Sequence, residues 1–382
     1  MKSQLENNVL RLYLEGELNS YNADEKEKEI NDEIHNKSFS TLVLNFSNLQ
    51  YVSSAGLRII LKLKQKYDDT RIEEASLEVY DVLSMTGFVN IMKVSKGLKR
   101  IDVSNTKVIG EGFFSKVYRI DKDTIIKVFL RTSDAGQIER ELKLAKQAFV
   151  LGIPTAISYD IVRVDDKLGV RYEMLDCISL KDAFLKYPEQ YDSLLEKYVA
   201  LLKKINTTEP MDPTLPNIKQ FFIRKVEETK EFYSQEATDK LLRLLNTIPD
   251  VSTFIHGDCH FKNIMVQGND FLLIDMDTLS VGHPMFELAS IRAPYVAFEE
   301  DDPGNSEKFL GVPSSLCNKI YHDIVKKYYG DSQEVEDKIA ILCYIHMVWW
   351  NKVNTPDCNA RLEGCRSRLM SLIDKYDDLK VD

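Results

Sequence analysis

The sequence has few of the features that mark membrane proteins, secreted proteins or metal scaffolds. No apolar run reaches the roughly 18 residues of a membrane-spanning helix, and the first residues lack the apolar core of a signal peptide. The cysteines have no close Cys-x-x-Cys spacing, which argues against a zinc site and against a disulfide framework. We therefore expect a cytoplasmic protein without a membrane partner and with free thiols, several of them buried, at Cys177, Cys259, Cys317, Cys343, Cys358 and Cys365.

Basic residues are outnumbered, but the imbalance lies almost entirely beyond residue 100. Residues 1–100 carry 14 Lys and Arg against 15 Asp and Glu, whereas the rest of the 382 residues carry 36 against 45. A chain of this length predicts two domains, of which the second is acidic. An acidic surface repels a phosphate backbone, so nucleic acid is not expected as a partner. The excess is compatible with a cationic substrate, although solubility is the simpler explanation.

The first hundred residues alternate between strand and helix patterns. Alternating Val and Leu positions predict a strand over 8–18, and the apolar run 41–46 predicts a strand buried on both faces. A turn at 51–54 leads into a helix whose N–H groups Ser53 or Ser54 can cap. This alternation predicts a small α/β sandwich, completed by a loop or exposed helix over 21–36, a strand over 75–82 and a helix over 84–94.

The run from Leu42 to Arg58 resembles the STAS domains of bacterial anti-sigma-factor antagonists. It reads LVLNFSNLQYVSSAGLR, with Asn45 and Ser53 at positions where family members often have aspartate. The resemblance implies a STAS-like regulatory domain over residues 1–103 and a protein partner for it. The family's regulatory phosphorylation site falls on Ser54, where a phosphate would lie at the positive end of a helix. The alternative is that Ser54 is a plain helix cap.

The second domain begins with a glycine turn between two predicted strands. Gly110, Gly112 and Ser115 form a Gly-x-Gly-x-x-Ser turn, which can fold over nucleotide phosphates because its backbone N–H groups approach their oxygens. Lys127 follows inside an apolar strand, where its charge is costly unless it is paired. It is either a phosphate-binding lysine or an outward residue on an edge strand. The glycine turn upstream favours phosphate binding.

A helix and a hairpin follow this lysine. The helix offers Glu139 and Glu141 as partners for Lys127. The glycine turn, lysine and helix resemble those of kinases, which place this glutamate in the middle of the helix, and the resemblance implies Glu141. The hairpin runs through 159–164 and 168–175, and chain order places Glu173 and Leu175 where an adenine ring would meet the backbone.

The most informative pattern is an aspartate and an asparagine five residues apart, followed by a later aspartate after a short apolar strand. Asp258, Asn263 and Asp275 stand in this order. Phosphoryl transfer needs a carboxylate to orient a hydroxyl, and oxygen ligands for magnesium. We predict that Asp258 is the base and that Asn263 and Asp275 bind Mg²⁺. Asp277 either adds a carboxylate to the metal site or stabilises the loop.

These motifs resemble the aminoglycoside phosphotransferase and choline-kinase group. This group has His-Gly-Asp where protein kinases have His-Arg-Asp, and the present chain has His-Gly-Asp at His256-Gly-Asp258. The resemblance implies ATP and Mg²⁺ as cofactors and a protein-kinase-like α+β domain over 104–382, with lobes at 104–175 and 176–382 and a helical C-terminal extension. The matching runs are HGDCHFKNI from His256, LIDMD from Leu273 and GHPMFELA from Gly282, with Phe261-Lys262 replacing a common Pro-Gly and Gly282-His283-Pro284 replacing Gly-Asp-Pro.

The sequence therefore predicts an ATP- and Mg²⁺-dependent phosphotransferase for a hydroxyl of an aminoglycoside-, choline- or sugar-like small molecule. The alternative is a signalling kinase or nucleotide sensor in partner switching, which phosphorylates a protein serine such as Ser54 of a STAS domain. The acidic run 299–302 could face a cationic amine, although a solvated loop explains it better. Trp349 and Trp350 near His346 could box a cation, although core packing explains them better.

Overall fold

The computed structural model describes residues 1–112, 115–130, 135–211, 215–355 and 359–381. The chain forms two compact units, one of residues 1–105 with 161–169 and one of 106–160 with 170–382. The domain boundary after residue 103 and the lobe boundary after residue 175 stay predictions. No helix in the described ranges is both long and apolar enough to cross a bilayer.

The first unit contains the predicted α/β sandwich. Its five-stranded sheet has the order β1-β2-β3-β4-β5, with β1 antiparallel to β2 and the other neighbours parallel. The strands are β1 (Lys2–Glu6), β2 (Val9–Leu18), β3 (Thr41–Val52), β4 (Thr70–Ala75) and β5 (Lys93–Lys96), and the helices are α1 (Ala23–Ile34), α2 (Ser54–Lys66), α3 (Leu77–Met85) and α4 (Phe88–Ile91).

The start of β3 is buried at six successive residues, 41–46, as its unbroken apolar run predicts. The predicted strand over 75–82 is wrong. Ser76 accepts a hydrogen bond from the Val79 N–H and starts helix α3, in which Val79 and Leu83 are buried four residues apart. The helix cap and the helical spacing outweigh the β-propensity of this segment. The helix predicted over 84–94 is shorter than expected, because α4 ends at Ile91 and β5 follows.

The next sheet has six strands in the order β6-β10-β11-β9-β8-β7. It contains the glycine-turn strands, the lysine strand and the predicted hairpin, which turns at Asp165 with a positive φ of 52°. The elements are β6 (Lys99–Arg100), β7 (Lys107–Glu111), β8 (Ser115–Arg119), β9 (Thr124–Phe129), α5 (Ala135–Val150), β10 (Ser158–Val164) and β11 (Lys167–Glu173). Residues 113–114 of the glycine turn lie outside the described ranges.

The remaining strands are short and form two small sheets that carry the predicted chemistry loops. One has the order β12-β14-β15, and the other pairs β13 with β16. The strands are β12 (Ile178–Ser179), β13 (Phe254–Ile255), β14 (Ile264–Gln267), β15 (Asp270–Leu273) and β16 (Ser280–Val281).

Helices make up most of the chain after residue 180, as the sequence predicts for the C-terminal part. Their apolar faces share one core that includes Tyr198, Phe261 and Tyr295. The helices are α6 (Leu180–Lys186), α7 (Tyr191–Thr207), α8 (Ile218–Glu228), α9 (Gln235–Thr247), α10 (Pro284–Arg292), α11 (Phe298–Glu300), α12 (Asn305–Leu310), α13 (Ser314–Tyr329), α14 (Gln333–Asn354) and α15 (Asn359–Ile373), with a π-helical turn at Ala293–Ala297.

The described cysteines are free thiols, as predicted. Cys177 is partly exposed, and Cys358 lies outside the described ranges. The four buried thiols are Cys259, Cys317, Cys343 and Cys365.

Candidate active site

The glycine turn and the predicted phosphate-binding lysine lie in one row across three strands. Gly110 of β7 pairs with Val117 of β8, and Val117 pairs with Lys127 of β9. The N–H of Gly112 donates to the carbonyl of Ser115 at 2.9 Å, so the described ends of the turn are tied together. Because paired residues on neighbouring strands share a face of the sheet, Lys127 projects from the face on which Gly110 lies.

Lys127 is an inward lysine that faces two carboxylates. Its side chain is only 14% exposed, and its ammonium contacts Asp275 directly and lies 3.9 Å from Asp277. Burial alone would lower the pKa of Lys127, but the two carboxylates outweigh it and raise the pKa above its ordinary value. Because β9 lies between β11 and β8 in the sheet, the alternative that Lys127 points outward from an edge strand is wrong.

The two carboxylates beside Lys127 titrate differently. Burial pushes the pKa of Asp275 upward, but the Lys127 ammonium more than offsets this, so the carboxyl stays ionised at neutral pH. Burial and the charge of Asp275 raise the pKa of Asp277 to about 7. The predicted metal ligand is thus the stronger acid of the pair, and Asp277 is the group that can hold a proton.

The backbone around Asp275 is supported from the neighbouring segment. Asp275 has a positive φ of 66°, a conformation that a non-glycine residue rarely adopts and that surrounding contacts must hold. Leu273 at the end of β15 accepts from the Ala156 N–H at 3.1 Å and donates to the Pro154 carbonyl at 2.8 Å. The hydroxyl of Thr155 also donates to the Leu273 carbonyl. These bonds fix the strand end from which Asp275 turns toward Lys127.

The predicted base and the predicted amide ligand are in direct contact. The Asn263 side-chain nitrogen donates to the Asp258 carboxylate at 2.9 Å and to its backbone carbonyl at 3.0 Å. Although 45% of the Asp258 side chain is exposed, burial, reinforced by the charge of Asp275, raises the pKa of Asp258 to about 6. The loop therefore presents an oriented carboxylate that is ionised above this pH and open to solvent.

A fully buried glutamate accepts hydrogen bonds from the backbone of the Asp258 loop. Glu287 of α10 accepts from the His256 N–H at 2.6 Å and from the Gly257 N–H at 3.1 Å. Burial raises the pKa of Glu287 to about 7, against the lowering effect of these two hydrogen bonds. Gly257 has a φ of 81°, and a Cβ there would lie 3.1 Å from the Thr278 carbonyl. The chain therefore needs glycine at this turn.

Sequence reasoning missed the role of Glu287. A signal was present, because this glutamate stands in the apolar run Met-Phe-Glu-Leu-Ala, and a charge in such a run needs a buried partner. Two buried tyrosines were also missed. Tyr198 donates to the Cys259 carbonyl, and the Phe261 N–H donates to the Tyr295 hydroxyl at 2.9 Å.

The two histidines of the loop have structural contacts and are held neutral. The ring of His256 contacts the Ile274 carbonyl at 3.2 Å and the Asp258 N–H at 3.3 Å, which ties the two chemistry loops together. Burial lowers the pKa of His256. His260 Nε2 lies 3.5 Å from the Asp258 carboxylate, and burial lowers the pKa of His260 to about 4. Both rings are therefore neutral at physiological pH.

The remaining predicted nucleotide contacts are Glu141, Glu173 and Leu175. The charge of Glu141 of α5 contributes to the raised pKa of Asp277, whereas Glu139 is exposed. Glu173 exchanges hydrogen bonds with Ile157, one from its own N–H and one to its side chain. Leu175 follows in the irregular segment after β11. The roles of these residues stay predictions.

The residues present fit a magnesium ion. The Asp275 carboxylate faces the positive charge of Lys127, and the amide nitrogen of Asn263 is the atom that contacts Asp258, so the amide oxygen could serve as a ligand. Among the described residues, no group of three or more His, Cys, Asp or Glu gathers to hold a metal. Magnesium in phosphoryl transfer needs only one or two such protein ligands, because phosphate oxygens supply others.

The acidic run is neither a solvated loop nor open to a cation. Each of its four carboxylates is bound by groups of the chain itself. Glu300 accepts from Arg292 at 2.9 Å and from the Tyr344 hydroxyl at 2.8 Å. The remaining contacts are those of Asp301 with Arg368, Asp302 with Arg361, and Glu299 with Gly304 N–H and the Ser314 hydroxyl.

The aromatic cluster near His346 also contains a cation of the chain itself. The Lys225 ammonium contacts His346 Nδ1 at 2.7 Å and lies 4.4 Å from the centre of the Phe222 ring and 5.2 Å from that of Trp349. Burial lowers the pKa of Lys225 to about 8 and holds the pKa of His346 well below its usual range. This cluster is core packing around a buried lysine.

This lysine makes the free energy of unfolding depend on pH in a defined direction. Below about pH 8, Lys225 is charged in both states, so burying its charge destabilises the folded state fully. Between about pH 8 and its unfolded pKa of about 10.4, the folded state sheds the proton first, so stability rises. We expect wild type to gain about 1–3 kcal/mol relative to Lys225→Met from about pH 7 to about pH 10, measured by urea unfolding.

A matched control comes from a second buried lysine. Lys338 is bound by the carboxylates of Glu334 and Asp378, and its pKa is raised, because these acids outweigh burial. Its replacement by Met should therefore give no gain for wild type over the same pH range. A wild-type advantage over Lys225→Met that stays constant with pH would contradict the assignment.

Two lysines lie beside the Asp258 loop. Lys262 donates to the Phe309 carbonyl at 2.9 Å, and its ammonium lies 4.9 Å from the centre of the Phe309 ring. Lys181 is the second residue of α6, and its N–H donates to the Phe261 carbonyl at 3.2 Å. Burial and the charge of Lys181 lower the pKa of Lys262, whereas Asp258 opposes this. Both ammonium groups lie near residues 309–311, Lys262 at the Phe309 carbonyl and Lys181 3.9 Å from the position that a Cβ on Gly311 would occupy.

In the first unit, the structure separates the two candidate serines at the start of α2. Ser53 is the helix cap, because its side chain accepts from the Gly56 N–H at 3.4 Å. Ser54 is the first helical residue and is exposed. The alternative that Ser54 is a plain helix cap is therefore wrong.

The glycine turn, the lysine strand and the two aspartate loops together make up the parts of a kinase-like phosphotransferase. The chain belongs to the phosphotransferase enzyme family, whose sequence profile matches residues 105–306, and it carries an N-terminal STAS domain, matched over residues 2–101. It is a kinase that uses an alcohol group as acceptor.

Individual proteins resemble each part of the chain. BtrV of Bordetella bronchiseptica, which bears the name of an anti-sigma factor antagonist, is 34% identical over 86 residues, 22% of this chain and 73% of that protein. The anti-sigma F factor antagonist of Paenibacillus polymyxa is 29% identical over 90 residues, 22% of this chain and 77% of that protein. The aminoglycoside phosphotransferase APH(2″)-IIa, in complex with gentamicin, aligns at 15% identity and a TM-score of 0.47, covering 78% of this chain and 96% of that one.

Proposed function

We propose that this protein transfers the γ-phosphoryl group of ATP to a hydroxyl of a small molecule. The observation that carries the proposal is the contact between Asp258 and Asn263 beside the pair of Lys127 and Asp275. The two pairs are neighbours, because the Ile274 N–H, next to Asp275, donates to the Asn263 carbonyl at 3.0 Å. They provide a cation, a base, an amide and an acid, in the chain order that phosphoryl transfer uses.

The chemical step follows from these positions. The Asp258 carboxylate orients the acceptor hydroxyl and takes its proton as the oxygen attacks the γ-phosphorus. A bond forms between the acceptor oxygen and the γ-phosphorus, and the bond from that phosphorus to the bridging β–γ oxygen breaks, so that ADP leaves. Lys127 stabilises the negative charge of the phosphates. His256 and Glu287 keep the loop backbone in place during the step.

Asn263 and Asp275 are the residues that would hold magnesium. A bound magnesium ion would neutralise charge on the nucleotide phosphates. Lys127 and Asp275 form an ion pair, so the acid stays ionised and able to bind a cation.

An acceptor screen with the full chain tests the proposal. Purified protein is incubated with Mg²⁺ and ATP and with panels of sugars, amino alcohols, hydroxy acids and aminoglycosides, and ADP release is measured with and without each acceptor. Acceptor-dependent ADP release that EDTA abolishes supports the proposal. Absence of such release across all panels, from protein that binds ATP, contradicts it.

A second candidate function is a signalling role for the STAS domain, and the exposed Ser54 favours it. A phosphate on Ser54 would lie at the N-terminal end of α2 and change the charge of a surface suited to a protein partner. We expect mass spectrometry after incubation with labelled ATP to place any STAS-domain label on Ser54 and to find none in Ser54→Ala. Ser53→Ala is the matched control and should keep the label. Label elsewhere in residues 1–100, or none, contradicts this role.

A further inference from the structure

The structure contains two features that could have recognised a cationic acceptor, and the chain itself fills both. Every carboxylate of the acidic run 299–302 is bound by arginines or by nearby donors. The aromatic cluster around His346 already encloses the Lys225 ammonium. An additional cation would have to displace charges that are already neutralised, so neither feature favours a positively charged acceptor.

The side chains beside the proposed base have the opposite sign. Lys262 stands four residues after Asp258 on the same loop, and its ammonium is held at the Phe309 carbonyl. Lys181 lies near the residues that follow Phe309, because its Nζ lies 3.9 Å from the position that a Cβ on Gly311 would occupy. The ammonium groups of Lys262 and Lys181 therefore both lie near residues 309–311, close to the Asp258 loop.

This pair of like charges is incompletely neutralised. Lys181 has a carboxylate partner, Asp182, at 2.8 Å, but that side chain is 49% exposed. In the described chain, Lys262 is held by a neutral carbonyl and an aromatic ring, and no carboxylate lies within ion-pair distance of it. Two ammonium groups in proximity repel each other unless an anion lies between them, and a compact anion with several oxygens satisfies both.

We propose that the acceptor is an anionic small molecule, and that Lys262 and Lys181 bind its phosphate or carboxylate group while Asp258 meets its hydroxyl. The proposal rests on the proposed phosphotransferase function and narrows its substrate class. Lys262 and Asp258 lie on one short loop, so an anion held at Lys262 places a hydroxyl a few bonds away next to the Asp258 carboxylate. Phe309 covers one side of Lys262 and limits the directions from which the anion can approach.

The first test compares acceptors that share one scaffold. Glycerol 3-phosphate, glycerate, glycerol and 3-amino-1,2-propanediol differ in the charge of one group, and broader panels of sugar phosphates, hydroxy acids and amino alcohols extend the comparison. We expect the highest kcat/KM on a phosphate- or carboxylate-bearing alcohol, and the better of the two classes identifies the anion. In Lys262→Gln, the preference for the anionic over the neutral acceptor should fall about 10- to 100-fold, as expected for one charge-assisted contact.

Matched variants separate this contact from general charge effects. Lys181→Gln should lower the same preference, and Lys262→Glu should lower it further than Lys262→Gln. Lys326→Gln removes the same charge from an exposed site on α13, where the lysine pairs with Asp331, and should leave the preference unchanged. Best turnover on a neutral or cationic acceptor, or an unchanged preference in Lys262→Gln, overturns the proposal and leaves the phosphotransferase function standing.

A second measurement keeps the proposal testable without turnover. The full chain is acetylated with acetic anhydride in the presence of inorganic phosphate, glycerate or choline, and mass spectrometry resolves the peptides of Lys262, Lys181, Lys127 and Lys326. Phosphate or glycerate should slow acetylation of Lys262 and Lys181 but not of Lys326, and choline should protect neither. Lack of protection at Lys262 overturns the proposal. Protection with no acceptor turnover in any panel supports the anion site and contradicts the phosphotransferase function.

Discussion

Asp258→Asn should strongly slow phosphoryl transfer while nucleotide binding persists. The side-chain amide keeps an oxygen that can accept from Asn263, so the loop geometry is retained. It cannot take a proton from the acceptor hydroxyl, however, and general-base catalysis typically contributes about 10²–10⁴ in rate. We expect kcat to fall by about this factor, with the Kd for ATP within about threefold of wild type, since no nucleotide contact is assigned to this carboxylate.

Steady-state kinetics and calorimetric titration with ATP measure the two quantities separately. Asp270→Asn is a suitable control, because Asp270 is an exposed aspartate at the start of β15 and has no predicted role in the reaction. Its kcat should match wild type. Turnover of Asp258→Asn at the wild-type rate would rule out Asp258 as the base, and a parallel loss of ATP binding would show that the loop had collapsed instead.

Glu287→Ala should be the most destabilising single change at the site. It leaves the N–H groups of His256 and Gly257 buried without an acceptor, and each such group costs about 1–3 kcal/mol. We therefore expect the free energy of unfolding to fall by about 2–6 kcal/mol. The Asp258 loop begins at these two residues, so turnover should fall even under conditions in which the variant remains folded.

Chemical denaturation of the full chain, monitored by tryptophan fluorescence, checks this expectation. Both tryptophans lie on α14, in the same unit as Glu287. Glu287→Gln keeps one acceptor oxygen and most of the shape, so its loss of stability should be smaller. Glu196→Ala removes an exposed glutamate from α7 and should change stability by at most about 0.5 kcal/mol. A loss in Glu287→Ala no larger than that of this control would show that the two N–H groups find other acceptors.

Local sequence patterns predicted most of the secondary structure, because the signals were themselves local. The burial of β3 at 41–46 follows from its apolar run, and the hairpin of β10 and β11 follows from two apolar segments around a polar turn. The error over 75–82 has a physical reason. A short apolar segment fits a strand or a helix equally well until its cap is known, and Ser76 provided that cap.

The contacts of individual charges could not be read from the sequence. The sequence favoured Glu141 as the partner of Lys127, which stays a prediction, and it gave no sign of the contact between the ammonium and Asp275, which lies 148 residues away along the chain. The acidic run at 299–302 appeared solvated, yet arginines from α10 and α15 neutralise most of it. Ion pairs of this kind join residues far apart in the chain, so only the folding of the helices determines which charges meet.

The sequence by itself determined the class of the protein. The spacing of Asp258, Asn263 and Asp275 and the run around Ser54 are short-range patterns, which phosphoryl transfer and the local backbone require. Only the tertiary structure decided how these groups are held and charged. It placed Glu287 against the backbone of the Asp258 loop, Lys127 next to two aspartates, and Lys262 where the charge of Lys181 acts on it. The reason is that burial and opposing charge set the protonation of a side chain, and both depend on neighbours that are distant in the sequence.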